Sequence, residues 1–232
     1  MRNLALWTAA VVFLSFAGNP AAAAETKAKE TKKVAKEPKK APKAPAGTPT
    51  NVLQTANDKI TKLLDAKIAK GSDAEKKRDE KIMKIVDGFL DFESLARRSL
   101  GKNWETRTDA EKAEFKKVFR QLIQQNYLDQ IHKKADYEIT YDGEEVEEAK
   151  ATVNTTVKAK SKKGEEAETS LVYKMKKVKD KWVVFDIVTD EVSLVQNYKS
   201  QFTKIINKDG YKVLIQKIQK KIDEGTESDK IE

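Results

Sequence analysis

Residues 137–141 read YEITY, 149–157 AKATVNTTV, 169–175 TSLVYKM and 182–188 WVVFDIV, and these four stretches decide the fold. The first three alternate apolar and polar residues, the period of a strand with one face covered. The fourth is apolar on both faces apart from Asp186, which makes it the best-covered strand of the set. Asp142-Gly143, Ser161-Lys162-Lys163-Gly164 and Lys179-Asp180 are polar turn signals. Four strands joined by short turns predict an antiparallel meander.

Outward from the strands the period changes to 3.6. Upstream, Thr108-Asp109-Ala110-Glu111 has the pattern of a capping box. It opens a helix running to about His132, with Phe115, Val118, Phe119, Leu122, Ile123, Tyr127 and Ile131 on one face. Three helices precede it. One spans about 52–69 and is closed by Gly71; a second opens at Ser72 and carries Ile82, Ile85, Val86 and Phe89; a short third has Asp91 as N-cap and Gly101 just past its end. Downstream, Leu194, Val195, Tyr198, Phe202, Ile205 and Ile206 stripe one helix, and Tyr211, Leu214, Ile215, Ile218 and Ile222 stripe another beyond Gly210. Helices, then four antiparallel strands, then helices is an α+β order rather than alternating βαβ. The expectation is a four-stranded curved antiparallel sheet wrapped by about five to seven helices, and such a sheet can enclose a cavity.

The N-terminal portion stands apart. Residues 1–24 pair Arg2 with an apolar run over 4–17 and end in four alanines, the layout of a signal peptide, and the run is shorter than a bilayer span requires. Residues 25–50 are rich in Lys, Ala and Pro and read as a disordered tether. The third segment, 51–232, is the expected folded domain. Of the chain's net charge of +9, the eight lysines and three glutamates of the tether carry +5 and Arg2 +1, leaving +3 over 51–232. The high pI is thus largely a tail property and gives no support to a nucleic-acid partner.

Chemistry-bearing residues are few. The chain has no Cys and one His, which removes disulfides, Cys-ligated zinc and thiol catalysis, and leaves little for a metal site. Phosphate-binding, hydrolase and EF-hand motifs are absent from the sequence. His132, at the end of the long helix, and Asp186, in the apolar strand, are the candidates for an acid/base enzyme. The bland readings are a helix-end cation and a carboxylate that caps a turn. The Lys-rich tail offers another alternative, an adaptor held on anionic membrane. The apolar stripes are compatible with plain core or with a lined cavity, and Tyr127, Tyr173 and Tyr198 add polar tips to them.

Two blocks carry a family resemblance. The first is Asp91-Phe92, Ala96-Arg97, Leu100-Gly101 and Trp104, followed by Thr108, Phe115, Phe119 and Tyr127; the second is Trp182, Val184, Asp186-Ile187 and then Val192-Ser193-Leu194-Val195, Asn197-Tyr198 and Ser200-Gln201-Phe202. Together they resemble the MlaC family of periplasmic phospholipid carriers, over about 52–222. Two departures are Gly88 near a point where a Pro is common and Glu191 where a Gly often stands. The resemblance implies a cystatin-like curved sheet with helices around an apolar lipid cavity, a periplasmic location, no catalysis and no cofactor. It implies a phospholipid ligand, and as partners an inner-membrane ABC transporter complex and an outer-membrane lipoprotein complex between which a monomeric carrier shuttles, maintaining lipid asymmetry. The candidate cavity residues are Phe119, Ile123, Tyr127, Val153, Val157, Leu171, Tyr173, Met175, Val188, Val192, Leu194, Tyr198 and Phe202. Arg97, Arg98, Lys199 and Lys204 are candidate partner or headgroup contacts.

Overall fold

The computed structural model describes residues 42–161 and 166–224. The expected signal peptide, most of the tether and the turn after Ser161 lie outside them. Helix α1 (Pro49–Leu64) starts with Thr48 accepting the Asn51 N–H and with proline at its first position, where no backbone donor is missed. Residues 42–48 lie against the helix too: Gln54 accepts from the Ala44 N–H at 2.8 Å and donates to the Pro42 carbonyl at 3.2 Å. α1 also ends at Leu64, one turn before the expected 69.

Helix α2 (Asp73–Phe89) is capped by Ser72, and α3 (Phe92–Leu100) by Asp91, as their sequences indicate. A 3-10 turn over Gly101–Trp104 follows. Gly101 sits at φ +56°, a conformation that calls for glycine, and the flexible Lys199 side chain lies over it. Helix α4 (Asp109–Lys133) opens with the reciprocal bonds of a capping box, Glu111 N–H to Thr108 Oγ1 and Thr108 N–H to Glu111 Oε2.

The sheet comprises β1 (Lys134–Glu147), β2 (Lys150–Ser161), β3 (Glu166–Val178), β4 (Lys181–Thr189) and the two-residue β5 (Val192–Ser193), antiparallel neighbours in chain order. The fifth strand exceeds the expected four because the turn into the next helix adds one short rung to β4. Asp142-Gly143 is not the hairpin expected. β1 runs through it with a register shift between Tyr141 and Gly143, a bulge, and turns at Glu148 instead. Helices α5 (Leu194–Asp209) and α6 (Tyr211–Glu224) complete the described chain, Ser193 capping the first and Gly210 separating the two.

One sheet face is buried. On it lie Ala151, Val153, Thr155, Val157 and Ala159 of β2, and Thr169, Leu171, Tyr173 and Met175 of β3. Between α4 and α5, Phe115, Phe119, Tyr198 and Phe202 form an aromatic cluster with ring centroids 5.1–5.6 Å apart, mixing stacked and edge-on pairs.

Candidate functional site

Helix α4 is longer than the core it packs on. Its first half contributes the buried Phe115, Val118, Phe119, Leu122 and Ile123, whereas Tyr127, Leu128 and Ile131 in its second half are only partly buried. The same holds for Tyr137, Ile139 and Tyr141 of β1 and for Val52, Leu63 and Leu64 of α1. Both α1 and α4 pack against β1. Partly covered apolar side chains thus concentrate on β1 and the two helices packed against it, at one border of the inner sheet face.

Four tyrosines sit there: Tyr127 on α4, Tyr137 and Tyr141 on β1, and Tyr173 on β3. Ladder register puts the three strand tyrosines on the face that carries Val157, Thr155 and Val153. Burial, and then mutual repulsion with the phenolates of Tyr137, Tyr173 and Tyr141, pushes the Tyr127 hydroxyl well above its ordinary range. Tyr141 and Tyr173 are raised by burial first and by neighbouring tyrosines second, so at neutral pH all are hydrogen-bond donors. Tyr137 spends its hydroxyl on α1, donating to Asn57 Oδ1 at 3.2 Å with Thr61 Oγ1 at 3.3 Å. The hydroxyls of Tyr127, Tyr141 and Tyr173 have no hydrogen-bond partner among the described residues.

The candidate residues read from sequence fall into distinct sets. Val153, Val157, Leu171, Tyr173 and Met175 share the inner sheet face. Phe119, Tyr198 and Phe202 form the helix–helix aromatic cluster, with Ile123 and Leu194 buried in the same core. Tyr127 is at the border. Val188 and Val192 belong to neither: a bulge at Phe185 reverses the parity of β4, so Ile187 opposes Tyr173 while Val188 faces the other way opposite Val172, and Val192 is 44% exposed. Tyr137, Ile139, Tyr141, Leu128 and Ile131 were absent from the expected set, although the Tyr-x-Ile-x-Tyr alternation of β1 and the α4 stripe contain the signal.

The cations lie elsewhere. Arg97 and Arg98 are on α3 and Lys199 and Lys204 on α5, two helices packed together. Arg97 pairs with Glu105 at 3.3 Å, Arg98 covers the Phe185 ring at 4.9 Å, and Lys204 is exposed. Asp186 is engaged structurally: Oδ1 accepts the N–H groups of Ile187 and Val195, and Oδ2 the Ser193 hydroxyl at 2.8 Å. His132 joins Asp79 and Arg78 in an ion network on α2. No group of metal-ligating side chains forms among the described residues, and no described helix is long and apolar enough to cross a membrane.

Residues 54–220 match the family described as MlaC protein. The fold is similar to that of a phospholipid-binding protein from Ralstonia solanacearum solved in complex with a phospholipid, at a TM-score of 0.61 and 21% identity over 75% of this chain and 96% of that one. Among curated proteins none matches.

Proposed function

Because the chain belongs to the MlaC protein family, we propose that it is a periplasmic carrier that encloses a phospholipid against the inner sheet face and moves it between an outer-membrane lipoprotein complex and an inner-membrane ABC transporter complex. The carrying observation is the border of partly covered apolar side chains on α1, α4 and β1, beside a buried apolar sheet face. It offers hydrocarbon surface reachable from solvent without a convex exposed patch.

The physical requirement is severe. Two acyl chains of about fifteen methylenes each cost roughly 25 kcal/mol to expose to water, at about 0.8 kcal/mol per methylene. A carrier must keep them covered in transit and release them only inside a docked complex. Burial and handover require no bond chemistry, and Asp186 is tied up in holding β4 to the start of α5. Arg97, Arg98, Lys199 and Lys204, grouped on the α3–α5 surface, are the proposed contacts to acidic partner surfaces. Carriage of this kind, as a monomer, maintains outer-membrane lipid asymmetry.

The test is native mass spectrometry of the protein purified without detergent, with organic extraction of what it holds. One phospholipid per chain is expected, and Leu171→Trp, which fills the inner sheet face, lowers occupancy in a folded protein. A ligand-free mass that vesicles of phosphatidylethanolamine and phosphatidylglycerol cannot change overturns the proposal.

A further inference from the structure

We propose that the hydroxyls of Tyr127, Tyr141 and Tyr173 form a donor subsite for the ester carbonyl oxygens of a diacyl glycerophospholipid, marking where its acyl chains end and its polar part begins. The inference rests on the carrier reading and adds to it a recognised chemical group.

Three observations carry it. First, each of these hydroxyls lacks a protein partner among the described residues, whereas the neighbouring Tyr137 hydroxyl is satisfied by α1. Elsewhere in the molecule tyrosines find partners: Tyr211 donates to the Glu111 carbonyl at 2.8 Å, and Tyr198 accepts from Asn126 at 3.1 Å. Second, the three oxygens are not sealed in. They are not among the unpaired polar atoms fully cut off from solvent, which include Thr169 Oγ1 on the same sheet face. Yet Tyr173 is only 6% exposed, and burial dominates the electrostatics of all three. A buried Tyr173 beside half-buried Tyr127 and Tyr141, each with an open hydroxyl, describes side chains lining a recess rather than a packed core or a convex surface.

Third, the field at the cluster selects the acceptor. The charged side chains that act on it are carboxylates, Asp58 on Tyr141 and Asp65 on Tyr137. Asp58 is itself 4.0 Å from Lys43, whose side chain is 67% exposed. A phosphate would meet that negative charge, so phenol donors beside carboxylates favour a neutral acceptor. Ester carbonyls are such acceptors, and in a diacyl lipid two of them stand at the head of the hydrocarbon. Tyr127, Leu128 and Ile131 place donor and apolar surface on one helix in that same order.

The experiment offers the full-length protein, after removal of any leader, equimolar vesicles of an ester-linked phosphatidylethanolamine and its ether-linked counterpart with identical chain lengths, and reads the bound ratio by native mass spectrometry. Carbonyl recognition by three neutral donors predicts about a tenfold preference for the ester lipid. In the triple variant Tyr127→Phe, Tyr141→Phe, Tyr173→Phe the ratio falls to about one, because uptake of the ester lipid drops toward that of its ether counterpart. Equal uptake of both lipids by the unmodified protein overturns the subsite and leaves the carrier reading standing. So does an ester preference that survives in the triple variant. Uptake of neither lipid overturns the carrier reading itself. Should the triple variant not fold, the ratio in the unmodified protein still decides, and the three single Tyr→Phe variants divide the preference among the hydroxyls.

Discussion

Glu144 Oε2 on β1 accepts the backbone N–H of Thr50, in the first turn of α1, at 2.6 Å across 94 residues of sequence. A carboxylate at a helix N-terminus meets both an orphan donor and the positive end of the helix dipole. Twelve ångströms or so further along α1, at about 1.5 Å per residue, Asn57 and Thr61 meet Tyr137. The two attachments fix α1 antiparallel to β1, over the border where the tyrosines lie. Glu144→Ala is expected to speed amide exchange across α1 about twofold to fivefold, the effect of losing roughly 0.5–1 kcal/mol, and to leave exchange in β2 and β3 unchanged. Hydrogen exchange read by mass spectrometry checks it.

Glu191 sits at φ +70° and Asp190 at φ +44°, both left-handed, in the turn between β4 and β5. This is the position at which the family resemblance leads one to expect glycine. A non-glycine residue there costs about 1 kcal/mol, so Glu191→Gly is expected to stabilise the protein by about 0.5–1 kcal/mol. A urea unfolding midpoint that moves down instead sinks this account of the turn.

Asp186 is 3% exposed and holds three donors. Asp186→Ala strands two buried N–H groups and a hydroxyl, with an expected loss of about 3 kcal/mol, while Asp186→Asn keeps an acceptor oxygen and loses about half as much. Equilibrium denaturation measures both. Equal losses in the two variants would contradict the hydrogen-bond assignment.

Burial disfavours the charged form of Asp91, but hydrogen bonds from Lys176 and Ser94 outweigh it and hold the pKa below the ordinary value. Its carboxylate caps α3 through the Ser94 N–H and meets the Lys176 ammonium at 2.7 Å, tying α3 to β3. A depressed folded pKa means the stabilisation is complete above the unfolded value of about 3.9 and disappears as pH falls through the folded one. Asp91→Asn is therefore expected to be less stable than the unmodified protein at pH 7, by about 1 kcal/mol after allowance for solvent screening, with the gap closing below about pH 4. Thermal midpoints across pH 2.5–7 check the sign.

The helices were legible in the sequence because their ends are chemically marked. Ser72, Asp91, Thr108 and Ser193 each accept the N–H group that their side chains suit. The sheet was legible from its alternation, apart from its two bulges. At Asp142-Gly143 a turn-forming pair is absorbed into a strand, because β2 supplies partners on both sides of it. At Phe185 one extra residue exchanges the faces of Ile187 and Val188, and a run apolar on both sides has no alternation from which to read that exchange. Where strands alternate cleanly the period alone places side chains on the covered face, as for Val153, Leu171 and Tyr173. The tyrosine border was only partly visible, since Tyr137 meets a helix 80 residues upstream. Sequence spacing does not carry that kind of information.

The strand order that follows chain order has a kinetic meaning. Each strand pairs with the next in the chain, so the meander assembles from pairings of low sequence separation. The helices are tied to it over long separations: the bonds of α1 to β1 span 80 and 94 residues, and Ser94 of α3 meets Lys176 of β3 across 82. Loop-closure entropy makes such contacts late to form, so the covering of the inner sheet face by helices is a late step of folding that the ladder bonds themselves do not wait for.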